Sequence, residues 1–215
     1  MKRVLSIIMA LGALVVVVSL VWRRAVEQRN LPCPSWLSWV LGMPSMGGAN
    51  NPETILDRLD LQPGMHVLDV GAGSGRIAIP AARRVEPGGE VAALDIQPTM
   101  LRKLEQRAAE QSVTNVRSIE GGIGGGLLPH DAFDRALLKN VLGEISDRDA
   151  ALREISAALK PGGVLSITEI FPDPHFQPKS KVREMTAEAG FCPGPEWGGR
   201  LAYTLNVFKP VAERM

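Results

Sequence analysis

The sequence predicts an α/β domain in which helices cover both faces of a mostly parallel sheet of seven strands. Short apolar runs typical of strands alternate with helical patterns between residues 51 and 210, and this alternation favours parallel strands joined by helices. Successive apolar runs end in glycine, aspartate or asparagine. The carboxyl ends of parallel strands meet at one edge of the sheet, where ligands bind. A further feature, the uncharged run at residues 4–22, predicts a transmembrane helix ahead of this domain.

A glycine-rich turn follows the first predicted strand. Residues 65–70 form an apolar run that begins after a Pro-Gly pair and is followed by Gly71, Gly73 and Gly75. From Arg76 onward the apolar spacing changes to that of a helix. Glycine permits a positive φ and a close approach of another group, and the first turn of a helix offers free amide hydrogens. The sequence therefore predicts a turn whose backbone cradles a cofactor.

The spacing of this turn departs from the dinucleotide-binding fingerprint G-x-G-x-x-G. The third glycine comes one residue early, Arg76 stands at the fingerprint position, and Asp69 lies inside the strand end. An apolar strand with this aspartate and alternating glycines resembles motif I of the class I S-adenosylmethionine (SAM) dependent methyltransferases. The resemblance implies that Asp69 helps to hold SAM and that the turn backbone lies along its methionine part, through Gly71, Ala72, Gly73 and Gly75. A nucleotide-dependent oxidoreductase is the alternative.

A second strand, predicted at residues 90–96, ends in Asp95. This position lies about two dozen residues after Gly71, close to the spacing at which an acidic strand end reaches a ribose diol. A carboxylate can accept hydrogen bonds from both hydroxyls. We therefore expect Asp95, with Ile96 beside it, to bind the ribose of the cofactor. The alternatives are that Asp95 caps the helix that begins at Pro98 or is a solvated end of the strand.

The third and fourth strands are predicted at residues 116–120 and within residues 131–142. Methyltransferases often carry an acidic residue after the third strand, facing the adenine amino group. Here Gly121 and Gly122 occupy those positions, so we expect backbone contacts from the two glycines instead. The resemblance also places the end of the fourth strand beside the sulfonium, at Lys139 and Asn140.

The remaining elements continue the same pattern. A helix is predicted at residues 147–160, and the Leu-Lys-Pro-Gly-Gly turn that ends it is a further hallmark of the family. The fifth strand is expected at residues 164–170, and a helix at 180–190 follows it. A weaker strand at 195–199 and a last strand at 201–208 complete the Rossmann-like class I methyltransferase fold. The resemblance covers residues 51–210 and looks closest to the ubiquinone and menaquinone methyltransferases.

Composition excludes several other classes of function. The formal net charge is +1, and a nucleic-acid-binding surface would need a basic face. Cys33 and Cys192 have neither metal-ligand spacing nor redox spacing, so no metal site is expected. Arsenite methyltransferases resemble this chain in the cofactor half but depend on several cysteines, so membership of that group is disfavoured.

The chain divides into an anchor at residues 1–24, a linker at 25–50 and a methyltransferase domain at 51–215. The uncharged run at 4–22 is long enough to span a bilayer and passes into charged residues without a small-residue cleavage site, which favours an anchor over a signal peptide. Arginines cluster after it, so we expect the domain to face the cytoplasm. In the linker, the segment with two tryptophans at 36–41 could lie among lipid headgroups, cover the active site or pack as core.

We expect this protein to transfer a methyl group from SAM to a small acceptor that is lipophilic or associated with the membrane. A quinone ring is the first candidate acceptor and a phospholipid amine the second. A membrane-bound protein that binds SAM without catalysis is the alternative. Glu144 and His175 are candidate catalytic residues because both follow strands of the cofactor edge, and histidine titrates near neutral pH. Tyr203 is expected to pack at an edge, and His66 and His130 to lie on the surface.

Overall fold

The computed structural model describes residues 51–171 and 173–211. Seven strands and five α-helices alternate in this part of the chain, which is the arrangement that the sequence predicts. The strands are β1 His66–Val70, β2 Glu90–Asp95, β3 Val116–Glu120, β4 Phe133–Lys139, β5 Leu159–Ile170, β6 Cys192–Gly198 and β7 Ala202–Phe208. The helices are α1 Pro52–Leu59, α2 Ala78–Arg84, α3 Pro98–Glu110, α4 Arg148–Ala158 and α5 Lys179–Glu188.

The strands form one sheet in the order β3-β2-β1-β4-β5-β7-β6. Strands β1 to β5 are parallel, and β7 runs antiparallel to both β5 and β6. The predicted sheet of seven mostly parallel strands is confirmed. Successive strands lead away from β1 in opposite directions, toward β2 and toward β4. This reversal opens a crevice at the carboxyl ends of the strands, where ligands bind in such sheets.

Two apolar cores, one on each face, hold the helices against the sheet. Leu68 of β1 belongs to the core that includes Leu152 of α4 and Val182 of α5. Its neighbour Val67 belongs to the opposite core with Leu104 of α3. Because successive residues of a strand point to opposite faces, a continuous apolar strand such as β1 contributes to both cores.

Local capping explains where two of the helices begin. The side chain of Asn51 accepts a hydrogen bond from the amide of Glu53, and Pro52 stands at the first position of α1. Asp147 caps α4 in the same way, accepting from Ala150 at 2.8 Å.

The boundary between α4 and β5 differs from the prediction. The helix ends at Ala158, not at residue 160, and β5 begins at Leu159, not at residue 164. The reason is tertiary, because Leu159 pairs with Phe133 of β4 ahead of an irregularity in the register. Gly162, with φ +78°, lies in this irregular part of the strand.

Tyr203 is not an edge residue, which corrects the prediction. Its strand β7 lies between β5 and β6, and the side chain is fully buried. The hydroxyl donates a hydrogen bond to the carbonyl of Gln177 at 2.7 Å. Tyr203 therefore joins the interior of the sheet to the segment that leads into α5.

The predicted anchor at residues 1–24 and the linker at 25–50 lie outside the described residues, so both stay predictions. Within residues 51–171 and 173–211, every helix is too short or too polar to cross a membrane.

Candidate SAM-binding site

A cleft of about 360 Å³ opens at the carboxyl edge of the sheet, where β1, β2, β3 and β4 end. Its volume lies in the range of small-molecule sites, roughly 300–1,000 Å³. The cleft brings together most of the residues that the sequence singles out. Those that line it are Gly71, Gly73, Asp95, Ile96, Gly121, Gly122, Lys139, Asn140 and Glu144.

The first part of the glycine turn presents bare backbone to the cleft. Gly71 has φ +73°, and a Cβ placed there would lie 2.4 Å from Cγ2 of Val141. Gly73 has φ +54° with open space where a Cβ would be. The strand end is held in place by the amide of Gly71, which donates to the carbonyl of Leu94 at 2.8 Å. A side chain at either position would be strained by the positive φ.

Asp95 is fixed beside this turn. One carboxylate oxygen accepts from the amide of Gly73 and the other from the amide of Gln97, both at 2.8 Å. The side chain is buried yet lines the cleft. Because each carboxylate oxygen can accept a second hydrogen bond, Asp95 retains acceptor capacity for two hydroxyls. It is not the N-cap of α3, since Gln97 occupies that position without a side-chain cap in the described structure.

Three of the predicted cofactor residues lie beneath the turn instead of at the cleft. Gly75 packs against α3, where an added Cβ would lie 2.8 Å from Leu104. Ala72 is buried in the core with α1 and α2. Asp69 is also buried, and one of its carboxyl oxygens finds no hydrogen-bond partner among the described residues. These residues shape and support the turn from below.

Burial and the nearby charge of Asp95 raise the pKa of Asp69 to about 7. A hydrogen bond from the amide of Ala78 and the charge of Lys139 act in the opposite direction but do not outweigh them. This carboxyl therefore carries a proton in a large fraction of molecules near neutral pH, which relieves repulsion between the two aspartates.

The end of β4 closes the cleft opposite Asp95. Asn140 adopts φ +53°, donates its amide to Thr168 at 2.9 Å and accepts from the amide of Ile170 at 3.0 Å through its side chain. These bonds join the ends of β4 and β5. Burial, and then the charge of Arg76, lower the pKa of Lys139 to about 8, although three acidic groups act in the opposite direction.

Acidic side chains surround Lys139 on this side of the cleft. Glu144 lies in a short 3₁₀ turn, Leu142–Glu144, and lines the cleft with Asp173. Glu169, at the end of β5, is buried behind them and accepts from the amide of Gln177 at 3.0 Å. The charges of Asp173 and Glu144 act on Glu169, and those of Asp173 and Glu169 act on Lys139. The arrangement places groups that can exchange protons at the end of the cleft away from Asp95.

Of the two candidate catalytic residues, Glu144 lines the cleft and His175 does not. The side chain of His175 is buried, and its carbonyl packs against Gly143, where a Cβ would come within 1.9 Å. Asp173 of the same loop lines the cleft and accepts from the amide of His175 at 2.8 Å. His66 and His130 are exposed, as predicted.

Sequence reasoning missed several residues of the cleft. Apolar residues that follow the strands form much of its wall, and only their position after a predicted strand could have indicated them. Asp173 could have been found by treating the whole loop after β5 as part of the site. The missed residues include Ser74, Gln97, Met100, Ile123, Val141, Ile145, Ser146 and Asp173.

Comparison with known sequences decides the family. The profile of the methyltransferase domain family matches residues 61–206. The chain belongs to the class I SAM-dependent methyltransferases. SAM is therefore its cofactor.

Two curated relatives illustrate the range of this methyltransferase family. The chain is 31% identical over 159 residues to the ubiquinone/menaquinone biosynthesis C-methyltransferase UbiE of Vibrio vulnificus, covering 74% of this chain and 60% of that protein. It is 33% identical over 123 residues to the nocamycin O-methyltransferase of Saccharothrix syringae, covering 57% of this chain and 44% of that protein. The chain thus spans between 44% and 60% of the length of these relatives.

The fold is similar to that of a SAM-dependent methyltransferase from Aquifex aeolicus. Its crystal structure superimposes with a TM-score of 0.74 at 23% sequence identity, covering 83% of this chain and 99% of that one. This likeness concerns the fold.

The residues of the cleft fit SAM. The bare backbone at Gly71 and the open space at Gly73 suit the methionine part. The buried carboxylate of Asp95, which can accept further hydrogen bonds, suits the ribose hydroxyls. Apolar side chains flank the Gly121-Gly122 turn and suit the adenine ring, namely Ile96, Met100 and Ile123. Glu120, the acid at the end of β3, is exposed and lies outside the cleft lining.

Proposed function

We propose that this protein transfers the methyl group of SAM to a small acceptor that is lipophilic or held in a membrane. The observation that carries the proposal is the convergence of the bare glycine turn, Asp95 and the Lys139-Asn140 strand end on one cleft. A quinone-type ring is the first acceptor we propose, and a phospholipid amine the second.

Some residues of the cleft bind SAM, the methyl donor, and others lie where the methyl acceptor would be aligned with it. Asp95 holds the ribose, and the turn at Gly71 and Gly73 holds the methionine part. The bound sulfonium supplies an already reactive methyl group, so alignment supplies much of the catalysis. Where the acceptor must lose a proton, Glu144 and Asp173 line the cleft as candidate bases.

The names of the relatives support a small-molecule acceptor. UbiE is named for C-methylation in quinone biosynthesis and the nocamycin enzyme for O-methylation, so the accepting atom differs within the family. The predicted anchor at residues 4–22 supports an acceptor in the membrane, because a tether raises the effective concentration of such a substrate. We propose that the domain lies on the cytoplasmic side of that membrane.

The first test compares Asp95→Asn with Glu120→Gln. Glu120 is the cross-strand neighbour of Asp95 but is exposed outside the cleft, so its substitution is a matched control. Loss of a charged acceptor costs about 1.5–3 kcal/mol, and we expect SAM affinity to fall roughly 10- to 100-fold for Asp95→Asn. Isothermal titration calorimetry with SAM measures this. Equal affinities for the two variants would contradict the assignment, and binding of NADH instead of SAM would favour the oxidoreductase.

The second test identifies the acceptor class. Membranes incubated with the protein and methyl-labelled SAM are extracted with organic solvent, and we expect label in a quinone or phospholipid fraction. Tight SAM binding without label in any lipid or small-molecule fraction would favour a protein that holds SAM without catalysis.

A further inference from the structure

Most of the large apolar side chains exposed in the described part of the chain lie on the edge of the sheet that carries the cleft. Ile96 is 54% exposed and Leu127 47%, while Phe171 is 47% and Leu201 61% exposed. We call these four residues the apolar rim. Val211, 67% exposed, lies near Gly162 in the first part of β5 and so belongs to the opposite edge.

The apolar rim consists of two pairs. Ile96 and Leu127 adjoin the Gly121-Gly122 turn: a Cβ at Gly121 would lie 2.7 Å from Leu127, and one at Gly122 3.7 Å from Ile96. In the other pair, the amide of Phe171 donates to the carbonyl of Leu201 at 2.7 Å.

The two pairs stand on opposite sides of the cleft. The first pair follows β2 and β3, and the second lies where β5 ends and β7 begins. Strands β1 and β4 separate β2 from β5, which is about 14 Å at the usual strand spacing. Single exposed apolar residues are ordinary on protein surfaces, but a group that borders one opening indicates an interaction surface.

We propose that the apolar rim docks onto the surface of a lipid bilayer, so that the cleft opens toward the membrane. The inference rests on the proposed function and adds how the acceptor reaches the site. A lipophilic acceptor could then enter the cleft from the bilayer without crossing water.

The part of the chain that precedes residue 51 supports this occupant over others. Residues 4–22 are uncharged and long enough to span a bilayer. Residues 25–50 can span at most about 90 Å, the length of a fully extended chain of that many residues. The predicted anchor therefore keeps the domain within reach of a lipid surface.

Charges near the apolar rim are of both signs. Arg200 precedes Leu201 in the chain, whereas Glu120 precedes Gly121 and Asp173 follows Phe171 by two residues. Since these charges oppose one another, docking should depend on insertion of the apolar side chains more than on attraction to anionic lipids. We expect it to persist in 0.5 M salt, where interactions between exposed charges are strongly screened.

The docking test uses the full chain with Cys33 and Cys192 replaced by serine. A single cysteine is introduced by Leu201→Cys, Leu127→Cys or Val211→Cys, labelled with bimane, and the protein is reconstituted into phosphatidylcholine vesicles with or without doxyl-labelled lipid. We expect at least twofold quenching at positions 201 and 127 and none at 211. Equal quenching at all three positions, or none at 201 and 127, would overturn the proposal. Blue-shifted emission without quenching by doxyl-labelled lipid would indicate that a second copy of the chain, or residues 30–50, covers the apolar rim. That result would also overturn the proposal.

A second variant links docking to turnover while leaving the cleft lining intact. Leu201→Ser is compared with Val211→Ser for SAM affinity and for label transferred from SAM into the lipid extract. We expect at least a fivefold loss of lipid labelling for Leu201→Ser, no loss for Val211→Ser, and unchanged SAM affinity for both. Equal labelling by both would overturn the role of the rim. If the unaltered chain labels no lipid, the proposed function fails, and the quenching experiment still decides docking.

Discussion

At the scale of single residues, Glu169 is the clearest case of a side chain whose properties come from its surroundings. It is 1% exposed, and one carboxyl oxygen finds no hydrogen-bond partner in the described part of the chain. Burial raises its pKa to about 8, assisted by the charges of Asp173 and Glu144. The amide of Gln177 and the charge of Lys139 act in the opposite direction but do not outweigh burial. Glu169 is therefore mostly protonated at neutral pH.

This raised pKa predicts a pH-dependent stability. A carboxyl with a folded pKa above its ordinary value of 4.5 stabilises the fold fully below that value, and the contribution is lost as pH rises through 8. Glu169→Gln stays neutral at every pH. Relative to the unaltered protein, it should therefore gain about 3 kcal/mol between pH 6 and pH 9, at roughly 1.4 kcal/mol per pKa unit. Chemical denaturation at the two pH values measures the difference.

The control for this prediction is Glu105→Gln, which makes the same change on the exposed face of α3. Its stability difference from the unaltered protein should not vary with pH in the same range. If Glu169→Gln changed the free energy of unfolding by the same amount at pH 6 and pH 9, the pKa of Glu169 would not be raised in the folded protein, and the prediction would be wrong.

At the scale of elements, α4 organises the loop that borders the predicted adenine subsite. The carboxylate of Glu154 accepts from the amides of Gly124 at 2.5 Å, Gly126 at 3.1 Å and Leu128 at 2.9 Å. Burial opposes ionisation of this carboxyl, but the amide donors outweigh it, and the pKa of Glu154 lies below its ordinary value. A helix residue that lies outside the cleft lining thus holds a glycine-rich loop in one conformation.

We therefore expect Glu154→Gln to weaken SAM binding from outside the cleft. Loss of hydrogen bonds to a charged acceptor should loosen residues 121–128 and reduce SAM affinity about three- to tenfold, at about 1 kcal/mol. Calorimetry measures the affinity and hydrogen exchange the protection of the loop. Arg153→Gln, at the exposed neighbouring position of α4, is the control. Unchanged affinity together with unchanged protection would contradict this role.

The glycine turn between β1 and α2 gives a second prediction at this scale. Gly71→Ala meets both the positive φ and the contact with Val141, so we expect a loss of about 2–4 kcal/mol in stability and weaker SAM binding. Gly125→Ala is the matched control, because nothing lies within 4 Å of its added Cβ. Thermal unfolding compares the two, and similar melting temperatures would show that the turn can shift to accept a side chain.

At the scale of the whole molecule, the sheet brings together residues far apart in the chain. Gly71, Asp95, Gly122 and Asn140 follow four different strands, and the order of those strands places all of them around one cleft. The site therefore forms only when the parallel strands are assembled. The predicted anchor would then set where this assembled domain works.

Deletion of residues 1–24 tests the anchor. We expect the truncated chain to leave the membrane pellet for the supernatant at neutral pH and to keep its SAM affinity, whereas the full chain should resist extraction with carbonate. Sedimentation of membranes measures both. A truncated chain that stays in the pellet would show that the linker or the apolar rim is sufficient for binding, with the segment at 36–41 as the part to remove next.

Much of the fold could be predicted because its signals are local. Strand β3 was predicted at its observed bounds, and the ends of other elements differ by a few residues. The apolar periodicity, the Asn51 and Asp147 caps and the glycine turns each act within a few residues of sequence. Where the prediction failed, as at Leu159 and Tyr203, pairing with a distant strand decided the outcome.

The sequence by itself determined the alternation of strands and helices, the turn at Gly71 and the acid at the end of β2. Only the tertiary structure decided that Gly75 supports packing, that Asp173 instead of His175 reaches the cleft, and that Glu169 is buried behind it. The physical reason is that periodicity and turn chemistry depend on near neighbours in the chain. Burial, shifted pKa values and cleft walls instead depend on side chains that meet only after distant strands have paired.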